Sequence, residues 1–232
     1  MENRTDSEFV PALGFHVLTP IYDGVVRVTT REYTFKSALV AQANIRPGHR
    51  VLDLACGTGT LAVYLKQSCP DAEIVAVDAD DRVLSIARRK TLAAGVTIQL
   101  DRGESHKLPY PDSHFDRVTS SLFFHHLSWT EKQEAARELL RVIRPGGELH
   151  VADWGRASGP FMRAAFIGVQ LLDGIENTED NVRGRLPELF KESGFTGVLQ
   201  TQSYATCFGT LALYRADYAQ PLHACDRHSV PR

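Results

Sequence analysis

The chain has 232 residues, of which 43% are hydrophobic and 23% charged, and its formal net charge is −2. These values are typical of one folded globular domain, with or without a cap, and they exclude a disordered or fibrous chain. The charge supplies no overall basic field for nucleic acid, and no apolar run reaches the roughly 18–20 residues of a membrane span. We therefore expect a cytoplasmic protein with no stable membrane insertion and no nucleic-acid partner.

Strands and helices alternate along the first two thirds of the chain. The predicted elements are a helix over 31–43, strand 50–55, helix 59–66, strand 74–77, helix 82–94, strand 96–100, strand 115–121, helix 129–143, a turn over 144–147 and strand 148–152. Apolar strands that alternate with helices predict a parallel sheet covered on both faces. Ligands of such sheets bind at the carboxyl ends of the strands, near the switch in strand order. The run Arg88-Arg89-Lys90 is interpreted as the solvated face of its helix.

The segment 154–185 departs from this alternation. An apolar block over 161–172 is followed there by polar residues, and a helix is predicted next over 186–193. An insertion at a strand end is where a cap over a substrate would lie, and an extra packing helix is the equal alternative.

Two further strands are predicted over 195–200 and 205–214, and they suit an antiparallel hairpin that closes the sheet. Residues 215–232 contain two prolines and no periodicity, which predicts a flexible tail. We divide the chain into an N-terminal helical lid segment (1–46), a main domain (47–214) with the cap inserted at about 154–185, and this tail.

The four cysteines, Cys56, Cys69, Cys207 and Cys225, lack the Cys-x-x-Cys or Cys/His spacing of a metal site. Reduced thiols and no bound metal are therefore expected. Cys56 lies inside a glycine-rich loop where a small side chain fits, and a catalytic thiol at this position is the weaker alternative.

That loop is the most informative part of the sequence. Residues 51–60 read Val-Leu-Asp-Leu-Ala-Cys-Gly-Thr-Gly-Thr, an apolar strand that breaks into glycines where a helix should begin. This layout brings the N–H groups of a helix N-terminus close to a small bound molecule. Gly57, Gly59 and Ala62 match G-x-G-x-x-A, and Asp78 follows the second strand, as in a dinucleotide-binding domain.

Asp53 favours a different ligand from a dinucleotide. A charge within a buried strand is costly unless it serves the loop or a ligand beyond it. A small zwitterionic ligand would present an ammonium group to Asp53, whereas a dinucleotide would place its pyrophosphate on the helix N-terminus.

Residues 48–153 resemble class I S-adenosylmethionine-dependent methyltransferases, through five signatures in the order of that family. These are the glycine run 51–60; Ala-Val-Asp-Ala at 76–79; Gly-Glu-Ser at 103–105 with Leu-Pro-Tyr-Pro-Asp at 108–112; Phe-Asp-Arg-Val at 115–118 with Leu-Phe-Phe-His-His-Leu at 122–127; and Leu-Arg-Val-Ile-Arg-Pro-Gly-Gly at 140–147. The branch most similar is the methyltransferase type 11, or ubiquinone/menaquinone-biosynthesis, branch. The residues after Asp153 depart from the quinone-enzyme signature, so a quinone precursor is one option among phenols, lipids, amines and other small acceptors.

The resemblance implies an α/β fold with a Rossmann-like seven-stranded, mostly parallel sheet, an antiparallel last strand and helices on both faces. It also implies S-adenosylmethionine as cofactor, S-adenosylhomocysteine as product, and an EC 2.1.1.- enzyme that methylates a small-molecule or lipid-like acceptor by in-line displacement. An NAD(P)-dependent Rossmann oxidoreductase and a non-catalytic S-adenosylmethionine-binding protein are the alternatives.

A set of cofactor contacts follows from the same resemblance. Asp53 would hold the loop and the amino group, Asp78 the ribose hydroxyls, and Glu104 would stand near the adenine amine, where the family usually has aspartate. The implied contacts are Tyr22, Asp53, Cys56, Gly57, Thr58, Gly59, Asp78, Ala79, Glu104, Ser105, Ser121 and Leu122. Tyr22 is a lid candidate, and the structural alternative for Asp78 is a cap of the helix that follows.

His125 and His126 follow the fourth strand, close to where the methyl group should project. A base is needed only if the acceptor loses a proton, and one of these histidines would supply it; local packing is the alternative. Asp153, Trp154 and Phe166 are candidate substrate contacts, with packing as an equal alternative for Trp154.

Overall fold

The computed structural model of the protein describes residues 32–219, apart from the side chains of residues 172 and 173. Its strands are β1 Arg50–Leu54, β2 Glu73–Asp78, β3 Gln99–Arg102, β4 Phe115–Ser121, β5 Ile143–Trp154, β6 Thr196–Thr206 and β7 Gly209–Asp217. Its helices are α1 Glu32–Ala43, α2 Thr60–Ser68, α3 Asp81–Ala93, α4 Trp129–Val142, α5 Pro160–Ala165, α6 Ile167–Asp173, α7 Ile175–Val182 and α8 Leu186–Glu192, with a short 3-10 helix Phe124–His126 after β4.

The strands form one seven-stranded sheet in the order β3-β2-β1-β4-β5-β7-β6. Strands β1 to β5 are parallel, and β7 is antiparallel to both of its neighbours. The predicted fold class is confirmed. A dinucleotide-binding Rossmann sheet has the parallel order 3-2-1-4-5-6, so the antiparallel β7 between β5 and β6 separates this fold from it.

Two apolar cores lie on opposite faces of the sheet, because successive residues of a strand point to opposite sides. Leu52 and Leu54 of β1 contribute to the core with α4 and α8. Val51 contributes to the other core, which also contains Phe35 of α1 and Leu61 of α2. The carboxyl ends of β1 and β4 therefore lie between two packed layers of helices. Parallel sheets bind their ligands at this edge.

Some boundaries differ from the sequence predictions. Strand β3 begins at Gln99 rather than at 96, because Gly95 has φ +66 and the N–H of Val96 donates to the Thr91 carbonyl, which closes α3. The predicted turn 144–147 lies within β5, where the N–H of Gly146 donates to the Tyr218 carbonyl at 2.7 Å. The residues predicted as a turn are therefore extended, and Gly146 is hydrogen-bonded to Tyr218, which directly follows β7.

The closing hairpin turns later than predicted. Residues 201–204 lie inside β6, and only Cys207 and Phe208 separate β6 from β7. The hydroxyl of Thr206 accepts from the Phe208 N–H and donates to the Gly209 carbonyl, which stabilises this short turn. Strand β7 extends to Asp217, beyond the position 215 at which the tail is predicted to begin. Residues 220–232 lie outside the described part, so the tail stays a prediction.

The segment 154–185 contains the three short helices α5, α6 and α7. Within residues 32–219, no helix is long and apolar enough to cross a membrane.

Helix α1 packs on the sheet through its apolar face. Phe35 and Leu39 are fully buried, and the Ala43 carbonyl accepts from the guanidinium of Arg117 in β4 at 3.0 Å. The Gln42 amide donates to the Tyr214 carbonyl at 2.9 Å, which ties α1 to β7 as well. This helix is therefore fixed to the central strands that carry the predicted site.

Replacing Phe35 by alanine tests how firmly α1 is held. The change removes a fully buried ring, and we expect a loss of about 3 kcal/mol in the free energy of unfolding, measured in urea. The matched control is Leu92→Ala on α3, whose side chain is largely exposed and whose loss should stay within about 0.5 kcal/mol. Equal values for the two variants would contradict the packing described here.

Candidate active site

The glycine loop after β1 adopts the left-handed conformation at three positions. Ala55 has φ +52, Gly57 φ +53 and Gly59 φ +77. A Cβ on Gly59 would lie 3.0 Å from the Cβ of Ala87, so glycine lets α2 and α3 approach each other there. Among residues 32–219, a Cβ on Gly57 would meet nothing within 4 Å, so this residue faces space that the described part of the chain leaves open. The loop backbone is thus accessible to a ligand at Gly57.

Asp78 fastens this loop to the end of β2. Its Oδ2 accepts from the Gly57 N–H at 2.8 Å, and its Oδ1 accepts from the Asp80 N–H at 3.0 Å. The N-cap of α3 is Asp80, whose side chain accepts from the Arg82 N–H, so the helix-cap alternative for Asp78 is wrong. Each carboxylate oxygen has two lone pairs, which leaves capacity for ribose hydroxyls. Burial raises the pKa of Asp78.

Asp53 is a buried carboxylate with one unused oxygen. It is only 1% exposed, and its Oδ1 accepts from the Thr119 hydroxyl at 3.1 Å. Its Oδ2 is buried without a hydrogen-bond partner among the described residues. Burial raises the pKa of Asp53 to about 7, and the ammonium of Lys36 acts in the opposite direction. An unpartnered carboxylate oxygen beside an open glycine loop fits a ligand ammonium group.

Lys90 of α3 binds the glycine loop through its side chain. This contact was not predicted from the sequence. Its Nζ donates to the hydroxyls of Thr58 at 2.8 Å and Thr60 at 2.6 Å. The solvated-face interpretation therefore holds for the exposed Arg88 and Arg89 but is wrong for the half-buried Lys90. The available signal was its spacing from Ala87, since residues i and i+3 share one helix face.

The loop after β3 lies next to Asp78. The Gly103 N–H donates to the Asp78 carbonyl at 3.1 Å, and Ala79 and Ser105 are half-buried. Glu104 is exposed and lies 3.2 Å from the imidazole of His106. Contact of Glu104 with an adenine amine stays a prediction.

Cys56 is not a reactive thiol in this structure. Its N–H donates to the Val77 carbonyl at 3.0 Å, which joins the loop to β2. Burial and the carboxylates of Asp53 and Asp78 raise the pKa of the Cys56 thiol, so the nucleophilic thiolate is disfavoured. The catalytic-thiol alternative is therefore unsupported.

The exit of β4 is strained and is held by Asp153. Leu122 has φ +55, a conformation that side chains other than glycine rarely adopt. Oδ2 of Asp153 accepts from the N–H groups of Phe123 at 3.1 Å and Phe124 at 2.7 Å. Ser121 and Leu122 are half-buried at this exit, as a lining position requires.

Asp153 also holds His125. Its Oδ1 lies 2.8 Å from Nδ1 of His125 and accepts from the Trp154 N–H and the Asn181 amide at 2.7 and 3.2 Å. Burial opposes ionisation of Asp153, but the charge and hydrogen bond of His125 hold its pKa below the usual value. Both oxygens are occupied and the side chain is fully buried, which suits Asp153 to the positioning of His125, and its contact with an acceptor stays a prediction.

The two aromatic candidates lie in the core. Trp154 is 4% and Phe166 2% exposed, and their rings pack edge to face with centroids 5.3 Å apart. The structure therefore places both as packing residues and does not bring them to a solvent-accessible surface.

His126 packs against His125, and its pKa is strongly lowered. The two imidazole centroids are 3.9 Å apart. Burial and the charge of His125 lower the pKa of His126 to about 3, so His126 is neutral at physiological pH. His125 has the carboxylate of Asp153 on its Nδ1.

The cap is joined to this region by buried polar contacts that the sequence did not signal. The Asn177 amide of α7 donates to the His126 carbonyl at 3.1 Å. Asn181, fully buried, donates to Asp153 and to the Trp154 carbonyl. Lys132 of α4, also fully buried, donates to the Asn177 carbonyl and lies 3.7 Å from Asp180. Helix α7 therefore covers the His125–Asp153 pair.

Comparisons with known proteins agree with this geometry. The family described as "Methyltransferase domain" matches residues 51–147. Residues 51–147 are therefore similar to a class I methyltransferase domain. The similarity is to the type 11, UbiE-like branch, and the cofactor of that family is S-adenosylmethionine.

Two curated relatives illustrate the branch. The chain is 35% identical over 131 residues to the ubiquinone/menaquinone biosynthesis C-methyltransferase UbiE of Cupriavidus necator, which covers 56% of this chain and 53% of the relative. It is 33% identical over 157 residues to UbiE of Pseudomonas putida, with 66% and 60% covered. The chain thus spans a little more than half the length of the curated relatives it matches.

Solved structures show the fold. YcgJ of Bacillus subtilis is 24% identical with a TM-score of 0.63, covering 74% of this chain and 72% of that one. The methyltransferase SibL is 21% identical with a TM-score of 0.66, covering 91% and 60%. SpnF, named as a [4+2]-cyclase, is 18% identical with a TM-score of 0.67, covering 88% and 93%. The last name shows that one fold can serve different reactions, so the reaction must be argued from the site.

Tyr22 lies outside the described residues, and its role as a lid stays a prediction.

Replacing Asp153 by asparagine should destabilise the protein. Asparagine has only one accepting oxygen, so either the N–H groups of Phe123 and Phe124 or the donors on the other side lose their acceptor. We expect a loss of about 2–4 kcal/mol in unfolding free energy at pH 7. Because the pKa of Asp153 is lowered on folding, the difference from the native chain should shrink as the pH falls below about 4. The exposed Asp112→Asn is the control, and an equally small effect of both variants in urea titrations would contradict this account.

Proposed function

We propose that this protein transfers a methyl group from S-adenosylmethionine to a small-molecule or lipid-like acceptor. The observation that carries the proposal is the unpartnered, buried Oδ2 of Asp53 beside the open Gly57 backbone, which Asp78 holds in place. This arrangement offers an anionic site for an ammonium group, an open backbone surface and a second carboxylate for vicinal hydroxyls. These three features match the amino-acid and ribose parts of the cofactor.

Positioning supplies most of the catalysis in this scheme. The bound cofactor supplies a methyl group that is already activated on a positively charged sulfur. Asp53 would bind its ammonium group, Asp78 its ribose, and the strained exit at Leu122 would place the acceptor in line. Holding reactants in a productive geometry is worth about 7–11 kcal/mol in favourable cases. The protein therefore needs few reactive side chains of its own.

His125 is the base we propose where the acceptor must lose a proton. The Asp153 carboxylate on Nδ1 favours the tautomer in which Nε2 accepts a proton, and it stabilises the resulting imidazolium. His126 is a poor base, because its pKa is about 3. His125 is itself 3% exposed beneath α7, so an acceptor reaches it only under the cap.

We infer that the acceptor is a partly apolar ring compound, with quinone precursors as the first class to test. The relatives are named for ubiquinone and menaquinone biosynthesis, and they are carbon methyltransferases. The cap presents four exposed apolar side chains, Phe161, Ile167, Leu171 and Ile175, which an apolar acceptor could contact on entry. Carbon methylation also releases a proton, which agrees with a base at His125.

Binding of S-adenosylhomocysteine tests the cofactor assignment. Native protein should bind it in calorimetry, and Asp78→Ala should weaken binding by more than about tenfold, since one charge-assisted contact contributes about 1.5–3 kcal/mol. The exposed Asp71→Ala, at the other end of β2, is the control. No binding by the native protein would overturn the proposal.

The pH dependence of that binding reports on Asp53. Its carboxyl has a pKa of about 7 without ligand, and a bound ammonium group would lower that value. Affinity should therefore be full above pH 7 and fall by up to about tenfold per unit below it. Asp53→Asn should bind weakly with a flat profile between pH 5 and 8, and a sloping profile in this variant would assign the titration to another group.

Measurement of kcat for single variants distinguishes the roles of His125 and His126. With labelled cofactor and an acceptor that reacts, His125→Gln should lower kcat by about 100-fold or more, because a positioned base contributes at least that factor. His126→Gln should retain most of the activity, and both variants should bind S-adenosylhomocysteine like the native chain. Native-like turnover of His125→Gln would remove the base assignment, while methyl transfer by the native protein would exclude a non-catalytic role.

A further inference from the structure

Two buried polar groups at the end of β5 have no hydrogen-bond partner among residues 32–219. They are the amide oxygen Oδ1 of Asn181 on α7 and the hydroxyl of Tyr214 on β7. Asn181 is fully buried, and Tyr214 is 1% exposed. Folded proteins leave few such groups unpaired, because each loses its bonds to water and gains none in return. Their presence together therefore requires an explanation.

The other unpartnered buried atoms of the described chain are accounted for. Oδ1 of Asp116 forms an ion pair with an arginine, and Nε2 of His150 lies 3.2 Å from a glutamate carboxylate. Oδ2 of Asp53 belongs to the proposed cofactor site. Neither the fold nor the proposed cofactor explains Asn181 and Tyr214.

The contacts of Asn181 fix the direction in which its amide points. Its Nδ2 donates to Oδ1 of Asp153 and to the Trp154 carbonyl, both at 3.2 Å. A reversed amide would bring its oxygen against these two acceptors, with no proton to share. Oδ1 of Asn181 is therefore an acceptor that needs a donor.

Tyr214 reaches the same end of β5. Its hydroxyl lies 2.9 Å from the position that a Cβ on Gly155 would take, and Asn181 contacts the carbonyl of the peptide that joins Trp154 to Gly155. Both unpartnered groups thus belong to one buried polar region beside Asp153.

This region adjoins the proposed base. Oδ1 of Asp153, which accepts from Asn181, also lies 2.8 Å from Nδ1 of His125. Asn181 and His125 therefore share one carboxylate oxygen. An acceptor that reaches His125 under the cap also comes close to Asn181.

The two unpartnered groups have complementary chemistry. Oδ1 of Asn181 can only accept a hydrogen bond. Burial and the negative charge of Asp153 raise the pKa of Tyr214, so its hydroxyl keeps its proton and can donate. A ligand hydroxyl satisfies both, since it donates one hydrogen bond and accepts another. A methyl group in its place would leave both groups unpaired.

We propose that Asn181 and Tyr214 bind a hydroxyl group of the methyl acceptor. This inference rests on the proposed function, and it narrows the acceptor to hydroxyl-bearing compounds such as phenols. The acceptor hydroxyl donates to Oδ1 of Asn181 and accepts from the Tyr214 hydroxyl. These two bonds orient the acceptor beneath α7, beside His125. A site built to bind a hydroxyl rejects analogues that lack it, because its own buried polar groups then stay unpaired.

Two probes that differ only at the hydroxyl test the proposal. The affinities of 1-naphthol and 1-methylnaphthalene are measured by calorimetry with saturating S-adenosylhomocysteine, so no turnover is needed. The ratio of the two affinities should fall by about three- to tenfold in Tyr214→Phe and in Asn181→Ala, relative to the native protein, since each variant removes one hydrogen bond to the hydroxyl. Tyr214→Phe removes a single oxygen, so it keeps the test decisive where Asn181→Ala loosens the cap.

Each variant has a matched control. Tyr204→Phe on β6 removes a tyrosine hydroxyl that donates to Gln202. Asn177→Ala loosens the same helix as Asn181→Ala, through loss of the bond to the His126 carbonyl. Both controls should keep the native ratio of affinities, and thermal melts verify that each variant is folded.

The stability of Tyr214→Phe distinguishes a ligand site from a structural contact. Removal of a hydroxyl that is unpaired in the free protein should leave the urea midpoint unchanged or raise it. A trapped water molecule that binds this hydroxyl would make the variant less stable. A lower midpoint together with a native ratio of affinities would assign the hydroxyl a structural role and overturn the proposal.

Failure of the proposed function and failure of this inference give different results. If the native protein does not bind S-adenosylhomocysteine, the proposed function fails, and this inference fails with it. If it binds S-adenosylhomocysteine but not 1-naphthol, or if both variants keep the native ratio, the cofactor assignment stands and the hydroxyl site is overturned.

Discussion

The burial of Asp53 in the middle of a parallel sheet is the constraint on which the site depends. A carboxylate in this position is unfavourable unless its oxygens are satisfied. Thr119 from the adjacent strand satisfies one oxygen, and the other is buried without a hydrogen-bond partner among the described residues. The hydrogen bond from Gly57 to Asp78 and the bonds from Lys90 to Thr58 and Thr60 fix the loop backbone next to Asp53. In the proposed function, the ammonium group of the ligand would balance the buried charge of Asp53.

A second carboxylate organises the opposite side of the opening. Asp153 accepts from the strained exit of β4, from the backbone of its own strand, from His125 and from the cap. Asp53 keeps an oxygen available, whereas Asp153 keeps none. The first suits direct ligand binding and the second suits support of another residue, although both follow apolar runs in the sequence. Their different surroundings decide their roles.

Local patterns were enough to predict the sheet and the cofactor side of the site. Apolar runs, glycines and Asp78 lie at fixed spacings along the chain, because one strand, one turn and one helix form that half. The contacts of Asn181 could not be found in this way. They join α7 to β5, which lie far apart in sequence, and a lone asparagine in a helix has the same pattern when it is solvated. The late hairpin turn was missed because Cys207 and Phe208 are not turn-forming residues.

The raised pKa of Asp53 has a consequence for protein engineering. The unfolded chain ionises this carboxyl near pH 4, so the unliganded fold loses stability as the pH rises from there to about 7. A neutral residue at position 53 would relieve that loss and remove the anion at the same time. A thermostability screen on unliganded protein at neutral pH would therefore enrich inactive sequences at this position, and the same screen run with bound ligand would retain the acid.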